Sequence, residues 1–272
     1  MRICLFVTTL AAALSMAALT LPAANGAATD SNPPTTQSVG GIDAKDSAAV
    51  EGVVRFKGTM PAVKPIEEVA GNAFCKQCYQ DGKLPMHDEI VLGKNGDDVT
   101  LQNVLVYVSK GLEGKEFDPP KGPVLLDQVG CMYTPHVVAV MTGQPLEIRN
   151  SDATLHNVMA TPRENAPFNI GMSGKDDVVR KVFKQPELKM NLHCFMHPWM
   201  SAYVHVLEHP FFAVTGADGT FTIRGLPPGD YELTVLHEGS LLESTPAKAS
   251  VKVEAGETKK VDFEYRPAGE KK

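Results

Sequence analysis

From Val50 onward the apolar residues come in short runs, several of them alternating with polar residues at every second position. Examples are VEGVVRFKG (50–58), EIVLG (89–93), NVLVYVS (103–109), HVVAVMTG (136–143), PLEIRN (145–150) and YVHVLEH (203–209). Asn95-Gly96, Thr142-Gly143, Ser173-Gly174 and Asp218-Gly219 punctuate the pattern with turn signals. A period of two is that of a strand with one buried face, and no window carries the 3.6-residue period of an amphipathic helix of useful length. Many short strands at this spacing predict an all-β chain built of sandwiches.

Past His209 the segment FFAVTGADGTFTIRGLPPGDYELTVLHEG reads as strand, Asp-Gly turn, strand, Pro-Pro-Gly turn and strand. ASVKVEAGETKKVDFEY (249–265) adds a final alternating hairpin. About sixty residues are enough for one small sandwich. The expected organisation is therefore a larger β unit over 50–208 and a smaller one over 209–268.

The start of the chain follows a different pattern. Arg2, an apolar run from Ile3 to Leu21 and the small residues Ala24-Asn25-Gly26 are the three parts of a secretory signal over 1–26. Residues 27–49 are polar, with Pro33-Pro34 and Gly40-Gly41, and read as a flexible leader. No later stretch approaches ~18 uninterrupted apolar residues, so no membrane span is expected after cleavage. An exported, periplasmic protein is the expectation, and such a compartment permits disulfides.

Composition narrows the function classes. Of 272 residues, 43% are hydrophobic and 21% charged, which excludes wholesale disorder. The formal net charge is −6 and there is no basic block, so a general nucleic-acid binder is excluded. The chain has no G-x-S-x-G, H-E-x-x-H, P-loop or dinucleotide fingerprint, and an enzyme is not expected.

The chemistry concentrates in LHCFMHPWM (192–200), which sets Cys194, His197 and Met200 in a C-x2-H-x2-M arrangement after a strand-like run. Upstream, IRNSDATLHNV (148–158) supplies His156 beyond a strand edge and a turn. A thiolate, two imidazoles and a thioether form the ligand set of a type 1 copper site. Soft sulfur favours Cu(I) while imidazole accepts both oxidation states, so such a site changes charge with little change of shape. His156, Cys194 and His197 are the expected equatorial ligands and Met200 the axial one.

At these residues the chain resembles the cupredoxins, the blue-copper electron carriers. The short C-x2-H-x2-M loop, preceded by His193, is most similar to that of amicyanin, and N-S-D-x-x-L-H-N resembles the segment around the first His ligand. The resemblance implies a cupredoxin-like Greek-key β-sandwich. It also implies that Asn157 ties the two ligand loops together by hydrogen bonds. The order of units resembles exported plastocyanin-like proteins of the methylamine-utilisation type. In these a small transthyretin/carboxypeptidase-regulatory-like sandwich follows, and GADGTFTIRGLPPGDY resembles that second module. The implied function is single-electron transfer to a redox partner such as a c-type cytochrome or a periplasmic dehydrogenase. Pro198 and Trp199, with an exposed edge of His197, are the expected docking face. Copper storage or delivery uses the same ligands and stays open, as does a metal-free secreted binding module.

Cys194 as a ligand leaves Cys75, Cys78 and Cys131. The expected disulfide is Cys75–Cys131, which closes 56 residues and staples the N-terminal part to the sandwich. Loop-closure entropy makes such a bridge worth about 4 kcal/mol. The alternative readings are a redox-active C-x2-C pair and a second metal site of Cys75, Cys78 and Cys131 with His136.

Overall fold

The computed structural model describes residues 46–60, 62–79 and 81–270. The export signal expected over 1–26 and nearly all of the leader lie outside the described residues. Four strands come first: β1 (Ala48–Phe56), β2 (Leu92–Asn95), β3 (Asp98–Leu101) and β4 (Leu105–Lys110). Between β1 and β2 lie a 3-10 turn (Glu67–Gly71) and a single short helix, α1 (Ala73–Gln77). Nine strands follow: β5 (Val124–Val129), β6 (Met132–Thr134), β7 (Val137–Met141), β8 (Pro145–Asn150), β9 (His156–Ala160), β10 (Phe168–Met172), β11 (Asp177–Val182), β12 (Glu187–His193) and β13 (Ser201–Leu207). The last seven are β14 (Phe212–Val214), β15 (Thr220–Leu226), β16 (Gly229–Leu236), β17 (Leu242–Ser244), β18 (Lys248–Val253), β19 (Thr258–Lys260) and β20 (Phe263–Pro267). The all-β expectation holds. No helix among the described residues is long and apolar enough to cross a membrane.

The middle nine strands form one sandwich. Its sheets have the orders β10-β9-β12-β13-β7 and β11-β8-β5-β6, and the pairs β13–β7 and β5–β8 are parallel. Leu126, Leu146 and Ile148 of one sheet meet Val138, Val140, Val158, Leu192, Val204 and Val206 of the other, all of them buried. Each such side chain contributes about 1.5–3 kcal/mol on leaving water. Alternation along β12 and β13 points one residue in two into this core, as the period-two pattern requires.

The other strands form a second sandwich, and here the boundary expected at 208/209 does not separate the sheets. β1 pairs with β15, β19, β20 and β3, while β4 lies between β14 and β16. Residues 50–56 and 92–110, assigned by the sequence pattern to the first unit, therefore build the second. Val50, Val54, Phe56, Leu101, Val106 and Val108 share its core with Phe221, Ile223, Leu233 and Phe263. Ala48 and Ala49, expected at the end of the leader, open β1. Strand partners are chosen by long-range burial, which local alternation does not report.

The junction between the sandwiches buries polar groups. His136 Nδ1 lies 3.0 Å from Asp88 Oδ2, and its Nε2 lies 3.1 Å from Glu238 Oε1. The second metal site considered for His136 is thus absent: Cys75 and Cys131 are disulfide-bonded and His136 serves carboxylates. Burial pushes His136 down, but its hydrogen bonds to Asp88 and Glu238 outweigh this and raise the imidazole to about 10. A pKa raised above the ordinary ~6.5 stabilises the fold below that pH, and the contribution is lost as pH climbs towards about 10. The thermal midpoint should therefore fall between pH 7 and 10 more steeply in the wild-type chain than in His136→Gln, and equal slopes would contradict the ion pairs.

Candidate metal centre

Two loops at one end of the first sandwich carry the chemistry. The first follows β8, where Asn150 Oδ1 accepts from the Asp152 N–H at 3.0 Å and Asn150 Nδ2 donates to the Thr154 carbonyl at 2.9 Å. This self-bonded turn delivers His156 at the start of β9. The second follows β12, where the Cys194 N–H donates to the Met200 carbonyl (3.2 Å) and the Met200 N–H to the His197 carbonyl (2.9 Å). These bonds fold 194–200 back on itself, so that three residues of one short segment return to one place.

His156, Cys194 and His197 meet there, each with a potential ligand atom within 4.8 Å of the other two. His156 Nδ1 and His197 Nδ1 are 2.9 Å apart, and Cys194 Sγ is 3.8 Å from His197 Nδ1. Cys194 is a free, buried cysteine, and Met200 is fully buried in the same core cluster. Asn157 bridges the loops: its N–H donates to Cys194 Sγ (3.4 Å) and its Oδ1 accepts from the Phe195 N–H (2.7 Å). Its Nδ2 donates to Asn169 Oδ1 at 2.7 Å, which fixes the carboxamide.

Burial pushes the Cys194 thiol up, yet hydrogen bonds from His156, His197 and the Asn157 N–H prevail and bring it down to about 5. Cys194 is therefore a thiolate at neutral pH, the form that binds metals. Burial lowers His156, but Asp152 and the Cys194 thiolate outweigh it and raise the imidazole. Its Nε2–H donates to Asp152 Oδ2 at 2.9 Å, which leaves Nδ1 facing the centre. A carboxylate behind a ligating imidazole is the usual means of fixing its tautomer.

Asp152 and Asn72 are the functional residues that the sequence pattern did not single out. Asp152 also accepts from the N–H groups of Gly130 (2.8 Å) and Cys131 (2.7 Å), which form the two-residue turn between β5 and β6. Both turn residues have positive φ, 66° and 57°, as a hairpin of this type demands. Its place in N-S-D, four residues before His156, was the available signal. Asn72 begins α1, far away in sequence, and its Nδ2 lies 3.2 Å from His197 Nε2. Cys75 and Cys131 are bonded, with Cα atoms 5.6 Å apart, so α1 is fastened beside the centre. Removal of this bridge in a Cys75→Ser/Cys131→Ser double variant should cost about 4 kcal/mol in urea unfolding.

This cover corrects the expected docking face. His197 is only 2% exposed, so it presents no open edge. Trp199 is half-buried, its ring centroid 5.2 Å from that of His197, and its indole N–H donates to the Cys131 carbonyl at 3.0 Å. Pro198 is exposed, but the large exposed apolar side chains are those of Leu155 (44%), Phe195 (60%) and Met196 (53%).

The donor set fits a soft or borderline ion. Bonds of ~2.0–2.3 Å to nitrogen and sulfur hold ligand atoms about 3–4 Å apart, as Cys194 and His197 already are.

Residues 198–266 match the carboxypeptidase regulatory-like domain family, which is the region of β13 to β20. Comparison with curated proteins finds no match. Among solved structures, similar chains include a Cu-containing nitrite reductase from Thermus scotoductus SA-01, at 21% identity and TM-score 0.31. That match covers 37% of this chain and 26% of the reductase, about a quarter of its length. A purple cupredoxin from Nitrosopumilus maritimus matches at 23% identity and TM-score 0.25, over 28% of this chain and 81% of that one. An amicyanin variant in its Cu(I) form matches at 22% identity and TM-score 0.29, over 31% and 82%. The similarity to cupredoxins is distant. What stands on this chain's own atoms is a buried His/Cys/Met cluster compatible with copper, at one end of a β sandwich.

Proposed function

We propose that the chain is a periplasmic type 1 copper protein, a carrier of single electrons. The observation that carries this reading is the convergence of His156, Cys194 and His197 beside buried Met200, with Cys194 ionised at neutral pH. Copper would be held by the two Nδ1 atoms and the thiolate, and it would supply the one-electron couple. The protein's part is to keep these ligands dry and fixed, which Asp152, Asn157 and Asn72 do through four hydrogen bonds to the ligands or between their loops. A centre held this way changes oxidation state with little rearrangement.

The partner would be a redox protein such as a c-type cytochrome or a periplasmic dehydrogenase. Exchange would pass through the Leu155–Phe195–Met196 rim, next to the ligands in both loops, and not through His197. The carboxypeptidase regulatory-like unit would contribute binding or stability. Copper storage or delivery is the second reading, favoured by the one observation that Asn72 closes the edge of His197.

Purified chain loaded with Cu(II) should take up one ion and develop the intense visible band of a copper–thiolate bond. Reversible reduction with rapid self-exchange is expected of a carrier. Irreversible or sluggish exchange would favour storage, and a colourless, copper-free product would leave only the binding module.

A further inference from the structure

The centre is sealed. His156, Cys194, His197 and Met200 are each no more than 2% exposed, so an ion must reach them from outside. The outer face of the same strands carries donors that the centre does not use. Leu192 is buried in the core of the first sandwich, so His193, next along β12, stands on the opposite face. In β9, Val158 and Ala160 are buried and Met159 between them is half-buried. The two strands are antiparallel, with His193 directly opposite Met159. Side chains in such a pair share a face, with Cβ atoms about 4.5–5.5 Å apart. Imidazole and thioether therefore stand side by side on the outside of the sheet, at the end that leads into the metal loops.

The imidazole is uncommitted. Its ring meets Phe195 edge to face, with centroids 5.3 Å apart, and makes no hydrogen bond among the described residues. His205 on the adjoining strand is the contrast: it is 1% exposed and its Nδ1 accepts from the Lys189 N–H at 3.2 Å. The donor pair selects its ligand. A thioether is soft and an imidazole serves either oxidation state, so together they favour Cu(I) over harder ions. An ion ~2.0 Å from nitrogen and ~2.3 Å from sulfur holds the two atoms no more than about 4.3 Å apart. Methionine, unbranched and with three rotatable bonds, can meet that span from the opposite position.

We propose that His193 and Met159 form an exposed Cu(I) site that receives the ion ahead of the buried centre. The proposal rests on the copper reading above and adds the route of loading. Met196, 53% exposed and between Cys194 and His197 in the chain, carries the next thioether on that route. Each step is ligand exchange at constant oxidation state: a bond to one sulfur or nitrogen forms as another breaks, and no electron moves.

The test titrates metal-free wild type with Cu(I) and follows carbon-13 methionine methyl and histidine ring signals by NMR. The first equivalent should fill the buried centre, and excess Cu(I) should shift Met159 and His193 in a second, weaker event. Met159→Leu, which nearly conserves volume, should lose the weaker event and keep the tight one. Rapid mixing with one equivalent of Cu(I) reads the loading role, through the ultraviolet absorption of the Cys194–Cu(I) bond. Filling should be roughly tenfold or more slower in Met159→Leu, because an ion held beside the loop has a millimolar effective concentration. His193→Gln should repeat both effects. Met159 and His193 signals that stay still in wild type under excess Cu(I), or equal filling rates, would overturn the inference and leave the copper centre standing. Cu(I) that shifts Met159 and His193 but never reaches Cys194 would instead overturn the copper centre, and the loading role with it.

Discussion

Cys194→Ser should abolish the visible copper–thiolate band completely. A serine hydroxyl remains protonated at neutral pH and offers hard oxygen where a soft anion is needed. Oxygen is smaller than sulfur but keeps an acceptor for the Asn157 N–H, and the stabilisation that comes with a thiol held down to about 5 is lost, so the metal-free fold should lose about 2–3 kcal/mol at pH 7. Absorption spectra and metal analysis of the reconstituted variant read the first effect, and urea unfolding reads the second. A variant that stays coloured would remove Cys194 from the centre, whereas one that fails to fold would recast it as a packing residue.

Asp152→Asn should damage fold and centre together. The carboxylate accepts from Gly130, Cys131 and His156, and hydrogen bonds to a charged acceptor are worth about 1.5–3 kcal/mol each. An asparagine has one acceptor oxygen, and its amide nitrogen would face a donor. The same bonds hold Cys131 at φ 57°, a left-handed conformation that costs a residue with a Cβ about 1–2 kcal/mol. Unfolding in urea should show a loss of about 3–5 kcal/mol. Metal affinity should fall by roughly 10–100-fold, because His156 loses the partner that sets its tautomer. Wild-type affinity in a destabilised variant would limit Asp152 to the turn, and wild-type stability would contradict the geometry of the turn.

Much of the centre is visible in short stretches of sequence. C-x2-H-x2-M lies within seven residues, and a loop of that length has few ways to fold, so the proximity of Cys194 and His197 is local information. His156 is 38 residues before Cys194, but N-S-D-x-x-L-H-N is itself a local turn, bonded internally through Asn150. Asp152 was within sight and remained unread, since an aspartate in a turn is ordinarily solvated. Asn72 carried no signal at all. An asparagine followed two and three residues later by Phe74 and Cys75 announces a helix cap, and nothing in that pattern points to an imidazole 125 residues away.

Alternation and turn residues by themselves determined that the chain is all β, where most strands run, and which side chains could bind a soft metal. They do so because the side-chain period and turn conformations are properties of a few consecutive residues. Only the tertiary structure decided that β1 to β4 complete the second sandwich and that His136 lies between Asp88 and Glu238. It likewise placed the edge of His197 beneath Asn72 instead of in water. Each of these depends on which distant segments bury one another, and that choice is made by the whole core at once.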